Sequence, residues 1–147
     1  MDSCHVGFIS LLHAIEKDGI QPETWIFLST LFGDEMVKSV KELFSKETIT
    51  LIIAKKSRRN FWVITSNKGI RCLWMDEKSF YCSCPAFLFR TMNNGKSPFC
   101  KHILAAYICN SLYKKDPHNV FFKIMEYQDE IFAEVMEKAL TECESSQ

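Results

Sequence analysis

The sequence has no excess charge of either sign: 18 basic residues stand against 18 acidic ones in 147. Strong non-specific nucleic-acid binding is driven by neutralising phosphates, so the isolated chain is not expected to show it. Long hydrophobic runs are also missing. The apolar runs that occur, such as Ile49 to Ala54, are strand-sized, that one broken by Thr50, and fall far short of a bilayer span. The start carries acidic Asp2 and no basic stretch, so a secretory signal is not expected and a nuclear or cytosolic location is. No phosphate-binding loop of the form G-x-x-x-x-G-K is present, which argues against ATP hydrolysis. An even cysteine count is lacking too. Seven cysteines in a reducing compartment point away from a disulfide framework and towards metal binding by any clustered subset.

What is there reads as a small α+β protein. Phe8, Leu12 and Ile15 recur at helical spacing until Asp18-Gly19. Pro22 suits a first helical turn, followed by Trp25, Leu28, Leu31 and Phe32, with Gly33 as the stop. Asp34 is placed to cap a third helix carrying Val37, Val40, Leu43 and Phe44. The pattern then changes to β-branched segments at Thr48–Ala54, Phe61–Thr65 and Ile70–Trp74, with turn-like segments between them and a short strand expected at Phe80–Cys82. A helix is expected after Cys100, and a last one from about Val120 to Leu140. The expected organisation is N-terminal helices (1–46), an antiparallel β meander with a metal-bound finger (47–115) and a C-terminal helix and tail (116–147), all one compact domain.

The chemistry is concentrated in two pairs. Cys82-Ser83-Cys84 is followed, after fifteen residues that begin with Pro85, by Cys100-Lys101-His102. Zinc takes four ligands in a tetrahedron and favours cysteine and histidine. Residues two apart on a strand share a face, so Cys82 and Cys84 can aim at one point, and Pro85 favours a turn directly after. Inside a helix the same spacing would put Cys100 and His102 about 200° apart. Cys100 must therefore precede the helix, with His102 in its first turn, where the helix N-terminus favours the thiolate. Pro98 and the loop Phe87 to Phe99 are expected to bring the pairs together. A lone cysteine is best read as a small buried hydrophobe, and Cys4, Cys72, Cys109 and Cys143 are left as that or as surface thiols. Two coincident pairs are better read as the metal ligands Cys82, Cys84, Cys100 and His102, holding Zn2+.

This arrangement, Cys-x-Cys followed by Cys-x-His, resembles the SWIM zinc finger, and Ala105 matches an alanine that some members carry three residues after the histidine. The whole chain is similar to the SWIM-domain subunits of Shu-type complexes, which are homologous-recombination factors. The segments that carry this likeness are Leu31-Phe32-Gly33, Thr48-Ile49-Thr50-Leu51-Ile52, Tyr81 to Phe87 and Cys100 to Tyr107. The resemblance implies a nuclear protein that pairs with a RecA-like ATPase paralogue. Together they would promote assembly of the recombinase filament on single-stranded DNA.

Three function classes follow. Four protein ligands leave zinc no open position, and His5, His13 and His118 have no catalytic context, so an enzyme is not expected. Direct DNA binding would draw on Lys55, Lys56, Arg58 and Arg59 in one turn, with Lys96, Lys101, Lys114 and Lys115 elsewhere; it is the alternative. A protein-partner module is preferred. Ala105 and Ala106 would permit close approach of a partner, with Trp25, Trp62, Trp74 and Phe121-Phe122 as candidate aromatic anchors.

Overall fold

A computed structural model describes residues 3–75, 79–87 and 99–145. Three helices come first: α1 (Ser3–Asp18), α2 (Pro22–Phe32) and α3 (Asp34–Lys46). Pro22 opens α2 as expected. Gly33 joins α2 to α3 as a single-residue turn with φ +92°, a conformation that costs a residue with a Cβ. Its N–H donates to the Ser29 carbonyl. Gly33, not Asp34, takes the cap position of α3. Asp34 is the first helical residue and accepts a hydrogen bond from the Ser29 hydroxyl.

Four strands follow as an antiparallel meander: β1 (Thr48–Ala54), β2 (Asn60–Ser66), β3 (Gly69–Met75) and β4 (Phe80–Cys82). Helix α4 (Lys101–Lys115) comes next. The long last helix expected from Val120 is corrected by the structure. Lys123–Tyr127 forms strand β5, and helix α5 covers Asp129–Ser145. β5 runs parallel to β1, pairing Thr50 with Lys123 through to Ala54 with Tyr127, so the sheet order is β4-β3-β2-β1-β5.

Both faces of this sheet are covered, which explains why β1 is almost continuously apolar. On one face Ile49, Leu51, Ile53, Trp62, Ile64, Leu73 and Cys82 join a core with α1, α2, α3 and α4. On the other, Ile52, Ala54, Phe61, Val63 and Cys72 pack with Phe132 and Cys143 of α5. The strand period of two sorts neighbouring residues to opposite sides, so Cys72 and Leu73 belong to different cores. Helices α1 and α3 pack on α4, which holds the start of α4 against β3 and β4.

Candidate metal centre

β4 ends at Cys82, buried beneath the helical layer. The antiparallel register places Cys82 opposite Leu73. One residue further, Ser83 continues the ladder in its own way. Its N–H donates to the Cys72 carbonyl at 3.1 Å, and its hydroxyl oxygen accepts from the Cys72 N–H at 3.1 Å. The side chain thus stands in for a strand carbonyl while the backbone turns away. This frees Cys84 to swing back beside Cys82, and a helical turn over 85–87 follows directly, where Pro85 was expected to force one.

The two halves of the site use the same local device. Cys84 Sγ accepts from the Phe87 N–H at 3.3 Å. Cys100 caps α4, and its Sγ accepts from the Ile103 N–H at 3.4 Å. In each case the sulfur satisfies a backbone donor three residues on, as an oxygen would at an N-cap. His102 follows in the first turn of α4. The expected placement of Cys100 before the helix and His102 inside it is therefore what the structure has. The connection over 88–98, including Asn93, Asn94, Lys96 and Pro98, lies outside the described residues.

The four candidate ligand atoms, from Cys82, Cys84, Cys100 and His102, lie within 4.8 Å of one another, and all four residues are buried. Zinc–sulfur bonds of about 2.3 Å and a zinc–nitrogen bond of about 2.0 Å give a tetrahedron with edges of about 3.5–3.8 Å. The cluster is within about an ångström of that closure. The side chains also fit the ion chemically. His102 Nδ1 is buried without a hydrogen-bond partner, a state that costs about 1–3 kcal/mol for a buried polar atom. The thiols already share charge unevenly. Hydrogen bonds from Cys100 and then Cys82 hold Cys84 far below the ordinary thiol range, while bonds with Cys100 and Cys84, added to burial, push Cys82 up. A dication among the sulfurs removes that conflict, because coordination deprotonates thiols outright. The donor set is that of a zinc site, three sulfurs and one imidazole, with Cys82, Cys84, Cys100 and His102 as the residues that would hold the ion.

The remaining sequence candidates are distributed elsewhere. Lys55, Lys56, Arg58 and Arg59 sit in the β1–β2 turn, remote in sequence from the cluster, and much of that turn is tied to the chain itself. The backbone N–H groups of Lys56 and Ser57 donate to the Asp129 carboxylate at 3.0 and 3.2 Å. Arg58 donates to the Tyr113 hydroxyl and pairs with Glu126 at 3.8 Å. Arg59 lies over the Phe132 ring. Lys114 pairs with Glu16 and Lys115 donates to the Lys17 carbonyl. The reading of Ala105 as a partner contact is corrected. Ala105 and Ala106 are fully buried in the chain's own core, so the close approach they permit is used internally. Trp62 and Phe122 are likewise core residues, whereas Trp25 is half-buried beneath Lys41 and Trp74 stacks on Phe61.

Two features were missed from sequence. Ser83 has no motif that marks it; only its position between two ligands hints at a role. Cys143 does not sit alone: its Sγ lies 2.6 Å from Cys72 Sγ. Cys109 is alone among the described residues and its thiol is pushed up by burial, as an inert core cysteine should be.

Comparison with known proteins agrees with this geometry. Residues 71–110 match the SWIM zinc finger family model. The chain is 31% identical to human Zinc finger SWIM domain-containing protein 7 over 125 residues, 80% of this chain and 86% of the relative. It is 34% identical to the mouse protein of that name over 104 residues, 66% of each chain. The Dictyostelium discoideum homolog is 30% identical over 114 residues, 78% of this chain and 70% of the relative. No solved structure matches. A buried cysteine–histidine zinc site inside the matched SWIM segment, and likeness over most of both chains, lead to one conclusion: the chain belongs to the Zinc finger SWIM domain-containing protein 7 family.

Proposed function

We propose that this protein is a non-catalytic zinc-binding subunit of a Shu-type complex, pairing with a RecA-like ATPase paralogue to promote recombinase filament assembly in homologous-recombination repair in the nucleus. The observation that carries the non-catalytic part is the donor set. Three buried cysteines and a buried histidine fill a tetrahedron, whereas a catalytic zinc keeps a position open for water or substrate. The likeness to SWIM-domain subunits supports the assignment to such a complex. Exposed apolar side chains support a role through protein contact. Val6 and Ile9 on α1 and Ile26 and Phe27 on α2 are 39–68% exposed, on two helices that pack together. Aromatic and aliphatic anchors of this kind are what partner surfaces use.

Zinc has a structural part in this reading. It would clamp the end of β4 to the start of α4 and hold the helical layer rigidly, so that less entropy is lost on association. The test is a pull-down of wild type and His102→Ala at equal protein level. The wild type should recover a RecA-like ATPase and the variant should lose it. Equal recovery by both, or a wild type that stays a solitary monomer, overturns the proposal. Single-stranded DNA is expected to bind the isolated chain weakly, given its zero net charge. Nanomolar binding at physiological salt with a steep salt slope would instead favour direct DNA recognition through Lys55 and Lys56.

A further inference from the structure

Cys72 lies in the middle of β3 and Cys143 near the end of α5, 71 residues apart in sequence. Both are buried, at 0% and 2% exposure, in the core between the sheet and α5. Their Sγ atoms are 2.6 Å apart. That is inside ordinary non-bonded contact and about half an ångström longer than a disulfide bond. Neither residue belongs to the metal cluster. We propose that Cys72 and Cys143 form a second cysteine site, a reversible disulfide made by exchange with a low-molecular-weight disulfide, which fastens the C-terminal half of α5 to the sheet.

The case rests on placement. α5 is held at its start by Phe132, which is buried against Phe61, and by the Asp129 carboxylate, which accepts from the β1–β2 turn. Over the next two turns its contacts are half-buried: Val135, Met136 and Ala139. Cys143 is the one fully buried anchor of the last described turn. A bond from it to Cys72, whose thiol donates to the Ala139 carbonyl at 3.6 Å, would make the hold on the C-terminal half of α5 covalent. The link also bears on the metal centre, since Cys72 is the strand residue to which Ser83 is hydrogen-bonded in both directions.

The same placement gives the order of events. Helix ends fray, so Cys143, two residues from the end of α5, reaches solvent before Cys72 in the sheet does. The Cys143 thiolate attacks one sulfur of glutathione disulfide. The glutathione S–S bond breaks, a mixed disulfide forms on Cys143, and one glutathione thiolate leaves and takes up a proton. Burial holds the Cys72 thiol up, so the second exchange comes while the frayed helix end still admits water. Cys72 loses its proton to solvent and its thiolate attacks the Cys143 sulfur. The second glutathione leaves as a thiolate and is protonated, and the helix end then redocks. Two protein thiols have lost two electrons and two protons, and one glutathione disulfide has become two thiols.

The test uses the full zinc-loaded chain in a series of oxidised-to-reduced glutathione ratios. Readouts are non-reducing peptide mapping by mass spectrometry, metal content and melting temperature. The expected result is a peptide cross-linked between Cys72 and Cys143, formed with zinc retained. It should come with a melting temperature raised by about 5–10 °C, reversed by dithiothreitol. Cys143→Ser and, separately, Cys72→Ala should show no such rise, and the wild-type peptide map decides the matter even if a variant folds poorly. Stable glutathione on Cys143 with no cross-link overturns the proposal. So does oxidation confined to the zinc ligands with loss of the metal, or thiols that stay fully reduced throughout.

Discussion

Two groups of buried sulfur occupy opposite faces of one sheet, and they differ in how they are held. Cys82, Cys84, Cys100 and His102 converge beneath the helical layer, each pair set by a local turn whose backbone N–H caps a sulfur. Cys72 and Cys143 meet beneath α5 with no such local device; the sheet and the helix bring them together from 71 residues apart. The first group gathers four donors and suits a dication. The second offers two, enough for a covalent bond between sulfurs and too few for a closed zinc site. Burial alone does not separate them, since all six residues are buried. The number of donors and the backbone that aims them do.

The sharpest way to break this comparison is to remove one sulfur from each group. Cys84→Ser should lose zinc and unfold the finger, because structural zinc contributes on the order of 10 kcal/mol of folding free energy. Cys143→Ser in reducing buffer should keep the metal and cost about 1 kcal/mol, by placing a more polar hydroxyl in an apolar core. Metal analysis and thermal melts followed by circular dichroism compare the two. Equal losses would mean that the ligand assignment is wrong.

Next in size is the packing that brings Cys143 to Cys72. Phe132→Ala removes a ring buried at 2% exposure and should cost about 3–5 kcal/mol while leaving zinc stoichiometry unchanged. Urea denaturation and metal content check it; loss of zinc would mean that the two faces are not separable. Ser83→Ala probes the connection between them. It leaves the Cys72 N–H without its side-chain acceptor and should cost about 1–3 kcal/mol, with weaker zinc retention against a chelator than Cys143→Ser.

The smallest effect is expected at Asp129. Hydrogen bonds from the Lys56 N–H, and then from Ser57, hold its carboxyl below the usual range. A depressed carboxyl contributes stability above its unfolded pKa of about 3.9, and that contribution disappears as pH falls through the lower folded value. The stability gap between wild type and Asp129→Asn should therefore be present at neutral pH and close below about pH 4. Reading the difference between the two proteins cancels any acid loss of metal common to both. A gap that widens on acidification would contradict the assignment.

The comparison also explains what the sequence disclosed. The metal centre was legible because each ligand pair is local: Cys82 with Cys84 on a strand end, Cys100 with His102 at a helix start. Helices α1, α2 and α3 and strands β1 to β4 were legible for the same reason, since their periodicity is local too. β5 was not. Lys123-Ile124-Met125-Glu126-Tyr127 has only half-buried or exposed side chains, and its strand conformation comes from parallel pairing with β1, a contact across more than seventy residues. Its apolar residues blended with those of α5 into one apparent helix. The covering of the second sheet face by α5, the inward turn of Ala105 and the meeting of Cys72 with Cys143 were hidden for that reason: each is set by tertiary packing alone.

The most direct test of the zinc assignment is X-ray absorption spectroscopy at the zinc edge of the purified protein, with His102→Ala alongside. The account predicts one zinc per chain with three sulfurs at about 2.3 Å and one imidazole nitrogen at about 2.0 Å, the nitrogen signal changing in the variant. Two or fewer sulfurs, a water in the coordination sphere, or a fully folded wild type without zinc would contradict it.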